Sequence, residues 1–461
     1  MKCEARRTVA RTRGPRMTAD PLFATQFASL ARFVSSAATR SEILFGTLRG
    51  ERSDFLRLNR ARVRQAGTVE RVTVGLRLLD GGRQGRIVCT LGEHERIDAL
   101  LAGALAGLRT AIAQWPPDPW ACWQPLARES EHVDDGDTPD PAAAIDAILD
   151  AAGDDDLVGL YAGGPVVRAL ASSLGHRHYH QTTWSSFDFS VQAGDDRAVK
   201  DHWFAGRWDA ASLQGSIRAA RERVRILRRP PRRLAPGDYR VLLAPQALAE
   251  LVGLLGWGGF SERAWRSGQS PLARAVRGDA RFAAGLTLVE DVDAFGVPRF
   301  QDDGFERPAR ITLLEAGRPA QRLVAPRSAR EFGTEGNGAD DAERPLAACV
   351  APGALPAVQA LAALDSGVSI ANLWYLNYSD REACRATGMT RFATLWVENG
   401  VPVAPVEPMR FDDSLYRVLG EQLLALTDSA VAIPAGDTWN GREPGGIRAP
   451  AALVGALRFT L

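Results

Sequence analysis

The first hundred positions carry a helical hydrophobic period followed by strand-like segments. From Pro21 to Ala38, apolar residues recur at three- and four-residue spacing, which predicts a helix. The segments that follow are rich in β-branched and aromatic residues and predict strands at 41–48, 55–59, 62–66, 68–79 and 86–91. A helix rich in Leu and Ala is expected over residues 95–114. This order is typical of helices packed on an antiparallel sheet.

The central part of the chain shows a second set of elements. An acidic stretch over residues 132–156 predicts a short helix, 142–152, between two loops. After it we expect a strand at 158–162, a turn at Gly163-Gly164, a helix over 165–174, and strands at 177–184 and 186–193. A phosphate-binding loop at this turn is disfavoured, because neither the G-x-G-x-x-G spacing nor a P-loop lysine is present.

The second half of the chain begins after a segment dense in arginine and proline. A helix over 210–228 leads into this segment, 228–237, which we interpret as a domain boundary. Further on, two β-rich runs flank Asn399-Gly400, the pair that best supplies two positive φ angles in a tight hairpin. The sequence predicts an α+β protein with three parts: a disordered basic tail, 1–20; an N-terminal domain of helices on antiparallel sheets, 21–228; and a β-rich C-terminal domain, 237–461.

Composition and charge narrow the class of protein. The 461 residues include 56 Lys and Arg against 55 Asp and Glu, so a net charge of +1 offers no field that would attract nucleic acid or an anionic membrane. No apolar run reaches the roughly 18 residues of a membrane span. The 5 cysteines are scattered, as expected of buried thiols in a reducing compartment. We therefore expect a cytoplasmic protein that binds neither nucleic acid nor membrane.

The densest signal lies in residues 366–411, where the aromatic and amide side chains of Asn372–Tyr378 precede the Asn-Gly hairpin. Short motifs precede it in a fixed order: Gly268-Gln269-Ser270, Gln301-Asp302-Asp303-Gly304, Leu314-Glu315-Ala316-Gly317 and Thr334-Glu335-Gly336-Asn337-Gly338. In this order and spacing the chain resembles the TldD/PmbA family, roughly from Pro21 to its end. TldD-type members of that family are zinc peptidases, and PmbA-type (TldE) members are their metal-free partners.

The resemblance implies where a zinc site would lie. Active members carry His-Glu-x-x-x-His on one helix and a cysteine near the C-terminus, and the glutamate polarises the metal-bound water. Here the matching positions read Ala249, Glu250 and Leu254, so only the general-base position is kept. No histidine follows His202, and the last cysteine is Cys384. We interpret Glu250 as an exposed or capping carboxylate without a catalytic role.

The resemblance implies a role without a metal in this chain. We expect the non-catalytic, TldE-like subunit of a zinc metallopeptidase complex that acts in proteolysis of small or unfolded peptides. A TldD-type partner would supply the zinc and the general base in a heterodimer, and a homodimer is the alternative assembly. Two other functions stay open: a regulatory or binding protein without peptidase activity, and a self-sufficient metallopeptidase that uses an unrecognised site.

Three groups of residues are candidates for contacts. His176, His178 and His180 alternate, so a strand would place them on one face, where they could offer imidazoles to a metal. Such ligands lie about 7 Å apart on a straight strand, so a partly exposed strand of hydrogen-bonded histidines is the simpler interpretation. The candidates for a peptide cleft are Gly268, Ser270, Gly336, Asn337 and Gly338. The candidates for a subunit interface, which core packing explains equally well, are Trp374, Tyr375, Tyr378 and Trp396.

Overall fold

A computed structural model of the chain describes residues 19–92, 96–194, 196–436, 438 and 440–460. The basic tail expected over residues 1–20 lies outside these ranges apart from its last two positions. Within the described ranges the strands form two sheets, one in each half of the chain. The α+β class expected from the sequence is confirmed, while the domain limits at residues 228 and 237 stay a prediction.

Long strands build the first sheet. They are β1 (Ile43–Asn59), β2 (Arg62–Asp80), β3 (Arg83–Thr90), β4 (Glu129–Val133), β5 (Leu157–Ser172), β6 (Arg177–Gly194) and β7 (Arg197–Ala205). Their order is β3-β2-β1-β5-β6-β4, with β7 also paired to β6. The pairs are antiparallel apart from β4 with β6, which run parallel.

Helices cover one face of this sheet. They are α1 (Pro21–Ala37), α2 (Ile97–Ile112), α3 (Pro141–Ala152) and α4 (Ala210–Leu227). The four leucines of β1 all lie at even-numbered positions: Leu44 and Leu48 cluster with α1 and α2, and Leu56 and Leu58 cluster with α3 and α4. Side chains of equal parity share a face, so the two helix pairs cover opposite ends of the same face. The other face is left to the second half of the chain.

The turn and helix expected over residues 163–174 are wrong. Strand β5 runs through this segment, and Gly163 and Gly164 pair with Ser185 and Trp184 of β6. A Cβ atom on Gly164 would lie 2.0 Å from the carbonyl oxygen of Arg52 on β1. The glycine therefore permits a close approach of neighbouring strands and does not end one of them.

The second sheet contains shorter strands that follow residue 236. They are β8 (Gly237–Leu243), β9 (Leu288–Asp291), β10 (Arg310–Glu315), β11 (Arg318–Pro319), β12 (Ala347–Val350), β13 (Gly367–Asp380), β14 (Arg385–Glu398), β15 (Val401–Pro405), β16 (Arg410–Ser414), β17 (Leu423–Pro434) and β18 (Gly446–Phe459). Strands β8, β13, β14, β16 and β18 pair in a closed ring, because β18 pairs with both β16 and β8. From β18 the sheet extends through β12, β9 and β10 to β11.

Short helices pack around this ring. They are α5 (Pro245–Gly256), α6 (Glu262–Arg266), α7 (Ala273–Arg277), α8 (Pro326–Phe332) and α9 (Ala360–Leu364). The Asn399-Gly400 hairpin is confirmed: its φ angles are 50° and 76°, and it joins β14 to β15. Helix α5, the longest of the five, packs against β13 and β18. Among the helices of the described ranges, none is long and apolar enough to cross a membrane.

A buried arginine from the second half inserts into the first sheet. The Arg442 guanidinium donates to the Ser53 hydroxyl at 3.0 Å and to the carbonyl oxygens of Gly164 at 3.1 Å and Trp184 at 2.6 Å. It also lies 4.1 Å from the centroid of the Trp184 ring. The backbone N–H of Arg442 donates to the buried carboxylate of Glu51 at 3.0 Å. Burial lowers the pKa of Arg442 to about 10.

Replacing Arg442 by alanine should lower the free energy of unfolding by about 3–5 kcal/mol, because the Glu51 carboxylate would stay buried without this positive charge. Urea unfolding followed by tryptophan fluorescence measures the loss. Arg448→Ala is the matched control, since Arg448 is exposed on β18, and it should change stability by less than about 0.5 kcal/mol. Equal losses in the two variants would contradict a special role of Arg442.

Candidate functional site

Helix α5 carries the positions that correspond to the zinc motif. Pro245 occupies its first turn, where no backbone donor is lost. Ala249 and Leu254 are buried in the hydrophobic core of the second half. Their side chains are hydrocarbon, so neither can ligate a metal.

Glu250 lies beside β13 and is half-buried. Its carboxylate accepts a hydrogen bond from the backbone N–H of Leu373 and another from the side-chain amide of Asn372. Desolvation outweighs these bonds and raises the pKa of Glu250 to about 7. The interpretation of Glu250 as an exposed or capping carboxylate is therefore wrong. The chain holds a carboxyl group that is close to half protonated at neutral pH.

Glu250 lines a cavity of about 370 Å³ between the two halves of the chain. One side is formed by β5, β6 and β7, and the other by α5 and the neighbouring ends of β17 and β18. Its apolar walls include Leu160, Ala162, Phe187, Trp203, Ile433 and Ile447. Arg442 also lines the cavity, so the bonds that dock this arginine shape the site as well.

The other carboxylates of the cavity are already paired. Asp188 lies 3.1 Å from the ammonium group of Lys200. Asp201 forms an ion pair with Arg223. In the described part of the chain Glu250 has no ion-pair partner, although Lys200 lies close enough to favour its ionised form.

The donor atoms of this cavity do not fit zinc. The Nε2 atom of His202 donates to the carbonyl oxygen of Ala432 at 3.0 Å, and its Nδ1 atom lies 3.2 Å from the amide nitrogen of Gln246. Both ring nitrogens are therefore engaged. Over the residues that the structure describes, no three His, Cys, Asp or Glu side chains are placed to hold a metal ion.

The histidine stripe is buried and not partly exposed as expected. The rings of His176 and His178 stack with centroids 6.0 Å apart, His178 stacks on Phe300 at 4.8 Å, and His180 stacks on His132 at 4.5 Å. Burial lowers the pKa of His178 and of His180 to about 4. His178 and His180 pack β6 against the second half of the chain, where His178 contacts Phe300 and the His180 ring bonds the carbonyl oxygen of Gly296.

The peptide-cleft candidates, Gly268, Ser270, Gly336, Asn337 and Gly338, are not among the described residues that line this cavity. The Ser270 hydroxyl donates to the carbonyl oxygen of Gly259. The Asn337 side chain accepts from the backbone N–H of Val324 at 2.8 Å. Gly338 has a φ of 69°, and a Cβ there would lie 2.1 Å from the carbonyl oxygen of Glu306. These contacts hold loops of the second half together.

The aromatic interface candidates fall into separate places. Trp374 and Tyr375 stack with ring centroids 4.2 Å apart and are 45% and 68% exposed. The ring centroid of Tyr378 lies 6.4 Å from that of Trp257, and Trp257 is half exposed. Trp396 instead packs against the core of the second half.

Sequence reasoning missed most of the polar residues of the cavity, namely Asp188, Lys200, Asp201, His202, Gln246 and Asn372. One signal was available. Lys200 is one of only two lysines in the chain, and it directly precedes an aspartate and a histidine within a strand. The meeting of these residues with α5 depends on the docking of the two halves, which no local pattern encodes.

The raised pKa of Glu250 predicts a pH-dependent stability. Below pH 4.5, the ordinary pKa of a glutamate, the proton bound to Glu250 contributes its full stabilisation of the fold. This stabilisation is lost as the pH rises through about 7, the pKa of Glu250 in the folded protein. Relative to Glu250→Gln, the free energy of unfolding of the unsubstituted protein should fall by roughly 2–3 kcal/mol between pH 5 and pH 8. Urea unfolding at both pH values tests this, with the exposed Glu331→Gln as control. If the free energies of unfolding of the unsubstituted protein and of Glu250→Gln differ by the same amount at both pH values, the pKa of Glu250 is not raised.

Comparisons with known proteins agree with this architecture. Residues 236–461 match the family model described as the PmbA/TldA metallopeptidase C-terminal domain. No curated protein matches the sequence.

Solved structures match nearly the whole chain. TldE from Thermococcus kodakarensis has a TM-score of 0.77 at 14% identity, covering 95% of this chain and 100% of that one. A candidate modulator of a DNA gyrase from Thermotoga maritima has a TM-score of 0.74 at 17% identity, covering 95% and 99%. A similarly described protein from Bacteroides thetaiotaomicron has a TM-score of 0.71 at 15% identity, and the match covers 96% of this chain and 99% of that one. At these identities the likeness shows the fold. Through its C-terminal domain the chain belongs to the TldD/PmbA family, and over its length it has the fold of these proteins.

Proposed function

We propose that this protein is the metal-free, TldE-like subunit of a peptidase complex whose zinc is held by a TldD-type partner. The observation that carries the proposal is the composition of α5. The helix presents Glu250 to a cavity, while Ala249 and Leu254 stand where the zinc-binding members of the family carry histidines. The fold likeness to the Thermococcus kodakarensis protein named TldE supports the same assignment.

The environment of Glu250 fits a non-catalytic chain. A general base in a zinc peptidase activates water that the metal has already polarised. The cavity around Glu250 offers no ligand set for that metal, and its nearest histidine, His202, has both ring nitrogens engaged. In the proposed complex the partner therefore cleaves the small or unfolded peptides, and this chain contributes binding surface.

An exposed aromatic surface suits the proposed interface. We define it by Trp374 and Tyr375 with the guanidinium group of Arg391, which lies 4.7 Å from the ring centroid of Trp374. Tyr375 has a φ of 52° at a bulge of β13. Aromatic and arginine side chains are enriched at the centres of protein interfaces, so this surface supports association.

The isolated chain should hold well under one zinc ion per monomer, because the positions of Ala249 and Leu254 provide no ligand atoms. Elemental analysis after gel filtration measures the content, and the TldD-type protein of the same organism, purified in parallel, is the positive control. Near-stoichiometric zinc that disappears when His176, His178 and His180 are replaced by alanine would place a metal at the histidine stripe and contradict the proposal.

Mixing the chain with the TldD-type protein of the same organism should give a stable complex in sedimentation velocity. Trp374→Ala should weaken the association at least tenfold, about 1.4 kcal/mol or more, because a large exposed ring would lose its buried contact. Val358→Ser is the matched control, since Val358 is 95% exposed on another element. If the two variants bind the partner with equal affinity, the aromatic surface is not part of the interface. If no complex forms at all, the subunit proposal is wrong.

A further inference from the structure

A residue that lines the cavity beside Glu250 carries a buried hydrogen-bond acceptor without a partner. Asn372 lines this cavity and is 6% exposed. Its Oδ1 atom has no hydrogen-bond partner in the described structure, while its amide group bonds the Glu250 carboxylate. A buried acceptor without a donor costs about 1–3 kcal/mol, so a ligand that donates to this atom would recover that loss.

Glu250 provides a second acceptor next to the first. Its Oε2 atom takes the Leu373 N–H, and an ionised carboxylate can accept further donors. The neighbouring positive charges do not form an ion pair with Glu250, because Lys200 is paired with Asp188 and the Arg442 guanidinium donates to residues of the first sheet. A positive charge brought by a ligand would therefore meet an ionisable group that has no ion pair among the described residues.

The rest of the cavity is suited to a carbon chain. Its volume of about 370 Å³ lies in the range of small-molecule sites. Leu160 and Phe187 come from the first sheet, and Ile433 and Ile447 come from the second. Side chains of this kind gain from contact with an apolar stem.

We propose that this cavity binds a primary ammonium group on an apolar stem, with the nitrogen between the carboxylate of Glu250 and the Oδ1 atom of Asn372. An ammonium group supplies a positive charge and several donors at once. A neutral alcohol supplies no charge, and a hard divalent cation needs about six oxygen ligands, which this site does not offer. Peptide N-termini and lysine side chains both carry the proposed group. The inference concerns the isolated chain and does not depend on a partner subunit.

The affinity should depend on pH in a defined direction. The charged groups that line the cavity beside Glu250 are Asp188 on β6, Lys200, Asp201 and His202 on β7, and Arg442 before β18. With a pKa of about 7, Glu250 is mostly protonated at pH 6 and mostly ionised at pH 8. Because an ammonium ion binds the ionised form, its affinity should rise about tenfold between these values. Binding at pH 7 should release about half a proton.

The test compares n-butylammonium with 1-butanol on the full chain, in a ligand-observed NMR titration at pH 6 and pH 8. We expect n-butylammonium to bind at least tenfold more tightly than 1-butanol at pH 8. Its affinity should be about tenfold lower at pH 6 than at pH 8. Calorimetry in two buffers of different ionisation enthalpy counts the released proton. Equal binding of the alcohol, or an affinity for the amine that does not change with pH, would overturn the proposal.

Variants assign the contact to its residues. Glu250→Gln should abolish the preference for the amine together with its pH dependence, and Asn372→Leu should weaken binding several-fold. The exposed Glu331→Gln is the matched control and should leave both unchanged. Unaltered amine binding in the Glu250→Gln variant would refute the site.

Two further probes separate the sources of the ammonium group. Leucinamide presents a peptide-like N-terminus, and Nα-acetyllysine amide presents a lysine side chain. Tighter binding of the first assigns the site to N-termini, and tighter binding of the second assigns it to lysine. Failure of both probes to bind, at concentrations where n-butylammonium saturates, would contradict a peptide source.

Discussion

The insertion of Arg442 into the first sheet is the contact on which the rest of the structure depends. A buried guanidinium must have acceptors around it, and this one takes them from Ser53 on β1, Gly164 on β5 and Trp184 on β6. Hydrogen bonds are directional, so bonds to adjacent strands fix the position of the segment that leads into β18. Since β18 belongs to the closed ring of the second sheet, the two halves of the chain are held in one relative placement.

The chemistry of Glu250 follows from that placement. The carboxylate belongs to α5, but part of the surface that covers it comes from β6 and β7 of the first sheet. Without this cover the side chain would be more hydrated and its pKa would move towards the ordinary value, since desolvation is the largest cause of the shift. The near-neutral pKa therefore depends in part on the docking of the two halves.

The sequence predicts those features whose causes are local. The Asn399-Gly400 hairpin was foreseeable because two positive φ angles select these residues, and α5 was expected only because positions 249–254 match a helical motif of the family. The turn predicted at Gly163-Gly164 was wrong because Gly164 packs against the carbonyl oxygen of Arg52, on a strand more than a hundred residues earlier, and Gly163 packs against Ser185 of the next strand. The alternating spacing predicted that His176, His178 and His180 share one face of a strand. It could not predict that they are buried, because residues from the second half of the chain cover them. The role of Glu250 was misjudged for the same reason.

The side chains of α5 show how this helix is stable without histidines at positions 249 and 254. A histidine buried without a metal would need hydrogen-bond partners for both ring nitrogens or would lose its hydration without compensation. Ala249 and Leu254 avoid that cost and add apolar contacts to the core. Glu250 lies on the cavity side, where protonation limits the cost of burial and hydrogen bonds from Leu373 and Asn372 orient the carboxyl. Along α5, Leu254 therefore packs in the core, whereas Ala249 and Glu250 line the cavity, to which Glu250 contributes a carboxyl group.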